Sequence, residues 1–159
     1  LEEVQRAVEW AKYPPIGTRG MCAVNAETRF GEIDMPTQVA SANRERWLAI
    51  QIETTESVEI ADQIAATKGV DWLFVGPSEL SVPLGVPGEF LHPKCVEALK
   101  RVGEATKKAG KAWGTLSRDV EHMRKCRELG CQFFSIYGDV DLLRVGMRTL
   151  EDKFKELTD

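Results

Sequence analysis

The sequence predicts an α/β fold built on a parallel sheet, and three observations carry that expectation. Three segments repeat one grammar: a helical stretch, a glycine, then a short β-branched or aromatic strand. The strands read as near-continuous apolar runs rather than strict alternation, the pattern of a sheet covered on both faces. Their starts, near positions 47, 70, 111 and 131, are 23, 41 and 20 residues apart, an average of 28. That spacing matches the unit of a (β/α)8 barrel, where about 250 residues divide into eight units. A closed barrel at this spacing needs roughly 225 residues, and the chain has 159. It is therefore either a small open α/β sheet or about half of a TIM-type barrel.

The elements follow in order. A helix is expected over Glu2 to Lys12. Tyr13 to Gly20 cannot continue it, because Pro14 and Pro15 fix φ and lack donors. A second helix runs from about Pro36 to Arg44, and the first strand spans Trp47 to Glu53. Next comes a helix over Ser57 to Thr67, with Val58, Ala61, Ala65, Ile60 and Ile64 at helical spacing. Gly69 ends it, and the strand Val70 to Val75 follows. A glycine- and proline-rich stretch from Gly76 to His92 widens the middle unit. Lys94 to Ala109 repeats the helix, Gly110 the stop and Lys111 to Thr115 the strand. Val120 to Leu129, Gly130 and Cys131 to Tyr137 repeat all three once more. The glycines sit where a helix ends in a positive φ that other residues adopt at a cost. A last helix covers Asp141 to Leu157, with Leu142, Leu143, Val145, Leu150, Phe154 and Leu157 on its apolar side.

Composition narrows the function classes. With 21 Lys+Arg against 25 Asp+Glu the net charge is −4, and no basic stripe points to nucleic acid as a partner. The longest apolar run, Trp72 to Val75, falls far short of the ~20 residues of a membrane-spanning helix. No charged-then-apolar leader opens the chain. Cys22, Cys95, Cys126 and Cys131 form neither a C-x-x-C pair nor a small-domain disulfide framework. Cys126 and Cys131 read as small buried hydrophobes. A cytoplasmic setting is the expectation.

Ligands of parallel α/β folds bind at the carboxyl ends of the strands. The first strand ends in Gln51-Ile52-Glu53, and alternation puts Gln51 and Glu53 on one side. The apolar run before them suggests a buried setting. The second strand ends in Gly76-Pro77-Ser78-Glu79. A carboxylate at each of two neighbouring strand ends suits a hard divalent cation with oxygen ligands. Solvent-facing loop acids, or a helix-start acid, are the plainer alternative. In the Gly76 turn, Pro77 has no N–H, so Ser78 and Glu79 are the free donors for an anion. His92 and His122 stand away from the strand ends and read as structural or exposed. Asp139 reads as the cap of the final helix, and Arg19 as a loop residue. No G-x-S-x-G, Walker A or G-x-G-x-x-G sequence occurs.

Four stretches, taken together and in order, are similar to the HpcH/HpaI aldolase family, related to the citrate lyase beta subunit. They are Tyr13-Pro14-Pro15-Ile16-Gly17-Thr18-Arg19-Gly20, Gln51-Ile52-Glu53-Thr54, Gly69-Val70-Asp71 and Gly76-Pro77-Ser78-Glu79-Leu80-Ser81. The likeness continues through His92-Pro93 and the strand after Gly110. It implies a (β/α)8 barrel of which residues 1–159 are a single domain, the C-terminal part, from about the fourth helix through the eighth. It also implies a divalent-metal-dependent aldolase that cleaves a 2-oxo acid to pyruvate and an aldehyde through a metal-stabilised enolate. The substrate would be a 2-keto-3-deoxy sugar acid or a 4-hydroxy-2-oxo diacid.

In that reading Glu53 and Glu79 hold the metal, Mg²⁺ or Mn²⁺ with Co²⁺ as a further candidate. Gln51 approaches the substrate oxygen, and Gly76, Pro77 and Ser78 form the turn that holds its carboxylate. The family has Asp where this chain has Glu79, one methylene longer. The family's His-centred base and substrate Arg are expected upstream of Leu1, so no catalytic residue is expected here. A homo-oligomer is implied as well. Two readings compete with it. One is a non-catalytic half-barrel that serves binding or assembly. The other is a phosphate-binding barrel enzyme with Gly76-Pro77-Ser78 as its anion cradle.

Overall fold

The computed structural model describes residues 1–155. Four parallel strands form one sheet in the order β1 (Ala49–Ile52), β2 (Trp72–Val75), β3 (Ala112–Leu116) and β4 (Phe133–Ser135). Ahead of them lie α1 (Glu2–Ala11), a 3-10 segment over Ala26–Gly31 and α2 (Met35–Glu45). Between β1 and β2 come α3 (Thr55–Glu59) and α4 (Ala61–Ala66). Between β2 and β3 come α5 (Pro77–Ser81) and α6 (Pro93–Lys108), and α7 (Val120–Glu128) joins β3 to β4. The last helix, α8, runs Asp139–Phe154, and the expected Leu157 lies outside the described residues. Helical connections between neighbouring parallel strands in sequence order are the grammar of a barrel wall.

The core lies on one side of the sheet. Ile52, Leu73, Val75 and Trp113 are fully buried against Ile64 of α4 and Val102 of α6. Register places Ala49, Trp72 and Ala112 side by side on the other face, then Gln51, Phe74 and Gly114. Here the sequence expectation needs correction: that face is not covered. Ala49, Gln51 and Phe133 are exposed, and Trp72 and Phe74 are half-buried. The apolar runs reflect an inner layer of aromatic side chains, with Trp72 edge-on to Trp47, Phe74 and Phe133. Gly114 makes that layer possible, since a β-carbon there would stand 2.8 Å from the Trp72 ring and 2.9 Å from the Phe133 carbonyl oxygen.

Three local expectations also change. The helix over Ser57 to Thr67 is two short helices, because Thr54 forms a capping box that starts α3 early and Ile60 leaves the helical region (φ −102, ψ 17). Asp139 does not cap α8; Gly138 holds that position and Asp139 accepts from the Val140 N–H within the first turn. The apolar side of α8 is not buried among the described residues. Cys95, Cys126 and Cys131 are buried and Cys22 is exposed, all unpaired. Among the described residues no helix is long and apolar enough to cross a membrane.

Candidate functional site

The carboxyl ends of β1 and β2 meet at a glycine. Pairing continues one step beyond the strands, with the Gly76 N–H donating to the Ile52 carbonyl at 3.1 Å. Glu53 therefore starts beside Gly76. The backbone at Gly76 then turns into α5, with Pro77 at the first helical position and the Leu80 N–H returning to the Gly76 carbonyl at 3.0 Å. Glu79 lies on this single turn.

A β-carbon on Gly76 would stand 2.9 Å from Glu53 Oε1 and 3.1 Å from Glu79 Oε2. One oxygen of each carboxylate thus faces a common point next to a residue with no side chain. Gln51 joins them, since its Nε2 donates to Glu53 Oε1. Alternation along β1 placed these two on one side, and the hydrogen bond shows it. The expected burial does not hold. Glu53 is half-buried, whereas Gln51 and Glu79 are exposed, because the face of the sheet that carries them is open.

The donor set suits a hard cation. Two carboxylate oxygens near one point, with room for water or substrate oxygens, match the way Mg²⁺ and Mn²⁺ bind through one or two carboxylates. No cluster of three or more His, Cys, Asp or Glu residues placed to hold a metal occurs among the described residues. Pro77 is buried and Ser78 half-buried, so this turn is anchored below and open above. A cleft of about 400 Å³ straddles the free edge of β1, between α1 and the α3–α4 pair, and Gln51 and Glu53 line its rim. Glu79 and Gly76 do not, so the cleft is not the point where the carboxylates meet.

Other candidates from the sequence are occupied elsewhere. His92 caps α6, its Nδ1 accepting from the Lys94 N–H at 3.2 Å. His122 is buried on α7, where its Nε2 lies 3.4 Å from Cys126 Sγ. Arg19 pairs with Glu27 at 3.0 Å and stacks on Tyr13. One feature was not read from the sequence, the hydroxyl of Ser81 behind the Gly76 turn. Its signal was a serine three residues after Ser78, the i, i+3 spacing of a local back-bond.

Comparison with known proteins identifies the family and the fold. The family model described as HpcH/HpaI aldolase/citrate lyase matches residues 1–144. The chain belongs to the HpcH/HpaI aldolase/citrate lyase family. It is 37% identical over 153 residues to a pyruvate aldolase of Rhizobium etli, covering 96% of this chain and 59% of that protein. It is 35% identical over 155 residues to the 5-keto-4-deoxy-D-glucarate aldolase of Salmonella arizonae, covering 98% and 60%. The crystal structure of an HpcH/HpaI aldolase from Desulfitobacterium hafniense superposes with a TM-score of 0.84 at 34% identity, covering 94% of this chain and 60% of that one. The chain thus spans about 60% of the length of the family members it matches. Its four parallel units are a partial TIM-type barrel of this family.

Proposed function

We propose that this chain carries the cation- and substrate-holding part of an aldolase site, in a protein that cleaves a 2-oxo acid to pyruvate and an aldehyde. The observation that carries the reading is the approach of Glu53 Oε1 and Glu79 Oε2 to one point at Gly76. Family membership supports the carbon–carbon lyase chemistry. The relative named for 5-keto-4-deoxy-D-glucarate makes a deoxy-keto sugar acid the first substrate to try.

The residues would divide the work as follows. Glu53 and Glu79 hold a divalent cation, Mg²⁺, Mn²⁺ or Co²⁺, which when bound supplies Lewis-acid polarisation of the 2-oxo group. Gln51 has two amide N–H donors and commits one to Glu53. That bond orients the amide, leaving the second donor for the substrate's oxo oxygen, where negative charge gathers as the carbon–carbon bond breaks. Gly76, with no side chain, lets the substrate approach the backbone, and the Ser78 N–H beside it faces the substrate carboxylate. Glu79 reaches one methylene farther than Asp would, which favours a cation tolerant of longer or less regular geometry, Mn²⁺ over Mg²⁺. Neither histidine is offered to the substrate, so the proton-transferring group is assigned to no residue of this chain.

Cytoplasmic function suits three buried, unpaired thiols. Self-association is part of the proposal, because Leu142, Leu143, Leu150 and Phe154 of α8 are all more than half exposed. The decisive experiment measures Mn²⁺ binding by electron paramagnetic resonance, together with pyruvate release from 5-keto-4-deoxy-D-glucarate. Glu53→Gln and Glu79→Gln are each expected to weaken Mn²⁺ binding at least tenfold. Unchanged binding in both variants would overturn the metal reading. Because no residue of 1–159 is assigned the proton transfer, little or no pyruvate release is expected from them alone. Pyruvate release would overturn the competing reading of a non-catalytic binding module, which the commitment of both histidines elsewhere supports.

A further inference from the structure

We infer that Ser81 is a positioning residue for the Glu79 carboxylate, an inference that rests on the cation site proposed above. Glu79 is exposed, and no hydrogen bond holds its carboxylate among the described residues. With no side-chain partner to hold the carboxylate, what the rest of the protein fixes is the position of the backbone from which it reaches the common point. That backbone is α5, a helix of five residues whose Gly76 cap supplies no side-chain bond. A single turn does not hold itself, because helix nucleation is unfavourable without outside support.

Ser81 supplies the support. It is fully buried, and its hydroxyl donates to the Ser78 carbonyl at 2.7 Å, one residue before Glu79. The same oxygen accepts from the Gly88 N–H at 3.0 Å. The Ser81 carbonyl accepts from Val86 at 3.0 Å. Gly85 and Gly88 both take positive φ, which turns the intervening loop back onto α5. Ser81 thus ties the carbonyl side of the Ser78–Glu79 peptide to that loop, while buried Pro77 and Leu80 anchor the turn from beneath. Removing the hydroxyl frees the Ser78 carbonyl and leaves Glu79 on an unbraced turn.

Ser81→Ala is expected to raise the Mn²⁺ dissociation constant by about tenfold, the scale on which groups behind metal ligands act. Two comparisons separate this from general loss of stability. Thr106→Val deletes another buried hydroxyl, which donates to Val102 and Gly103 in α6; it should lower the urea midpoint and leave Mn²⁺ affinity unchanged. Ser81→Cys, close in shape with a weaker donor, should recover part of the affinity, and it carries the test if the alanine variant does not fold. Wild-type affinity in Ser81→Ala, with affinity lost in Glu79→Gln, overturns the inference alone. Wild-type affinity in Glu79→Gln overturns the cation site, and the inference with it. An equal loss in Thr106→Val reduces Ser81 to a structural role and also overturns it.

Discussion

Glu53 and Glu79 come from different strand ends and face the same point, 2.9 and 3.1 Å from where a β-carbon on Gly76 would stand. Gly76 has φ −89 and ψ 97, so an alanine there carries no backbone strain. The cost of Gly76→Ala falls on the carboxylates instead. The Glu79 end can swing aside, but the Glu53 Cγ also lies 2.9 Å from that β-carbon, so the Glu53 side chain must change rotamer and stability should fall by about 1 kcal/mol. The common point would then be filled by a methyl group. Mn²⁺ affinity should fall at least tenfold with only a small drop in the urea midpoint. A variant that binds Mn²⁺ like the wild type would show that the carboxylates do not act at this point.

Stability should be more sensitive at the opposite end of the sheet. Lys12 is buried, and its Nζ donates to Asp71 Oδ2 at 2.8 Å and to the Arg46 carbonyl at 2.6 Å. Asp71 also accepts from the Leu48 N–H at 2.7 Å. The pair links α1 to the start of both β1 and β2. Breaking a fully buried pair costs about 3–5 kcal/mol. Asp71 is 38% exposed and can turn to water, so Lys12→Met should cost less, about 2 kcal/mol. Urea unfolding monitored by tryptophan fluorescence measures it. A midpoint within error of the wild type would show that the strut is not a stabilising contact.

Much of this architecture was legible in the residues. The glycines at 69, 110 and 130 marked helix ends, and each takes a positive φ. The same-side placement of Gln51 and Glu53 followed from strand alternation alone. What could not be read was which faces are covered. Leu73 and Phe74 look equally apolar in the sequence, yet Leu73 is fully buried and Phe74 only half. Hydrophobic runs report the barrel wall these residues belong to, and they do not say which neighbours are present to cover it. For the same reason Glu53 seemed buried and is only half so. Nor did spacing reveal the Ile60 break, because Val58, Ala61 and Ile64 keep helical spacing across it.

Burial makes strong predictions for the thiols. It pushes Cys126 up to about 12 and Cys131 up to about 11, and it raises Cys95 as well, with Glu89 adding to the effect. At pH 8 Cys126 and Cys131 are therefore each roughly a thousandth or less in the reactive thiolate form. Cys22 is exposed. A disulfide reagent at pH 8 should therefore label one thiol rapidly in the native protein and all four in urea. Replacing Cys22 with serine should abolish the fast phase. A second rapid equivalent in the folded state would contradict the buried placement of the other three.

His122 gives the protein a pH dependence whose sign can be worked out. The side chain is 1% exposed, and its Nδ1 has no hydrogen-bond partner among the described residues. Burial, the largest effect, lowers its pKa below 6.5; Arg118 lowers it further, and Asp119 opposes them. The unfolded chain thus binds a proton at a higher pH than the folded one. Stability from keeping the ring neutral is complete above about pH 6.5 and is lost as the pH falls toward the depressed folded value, by at most about 1.4 kcal/mol per pH unit. Carboxylates add a slope of their own, so the comparison must be made against His122→Gln at each pH. The stability difference between wild type and variant should shrink from pH 7.5 to pH 5.5. A constant difference across that range would mean that the ring is protonated equally in both states, and would overturn the reading of a neutral ring buried against Phe90 and Cys126.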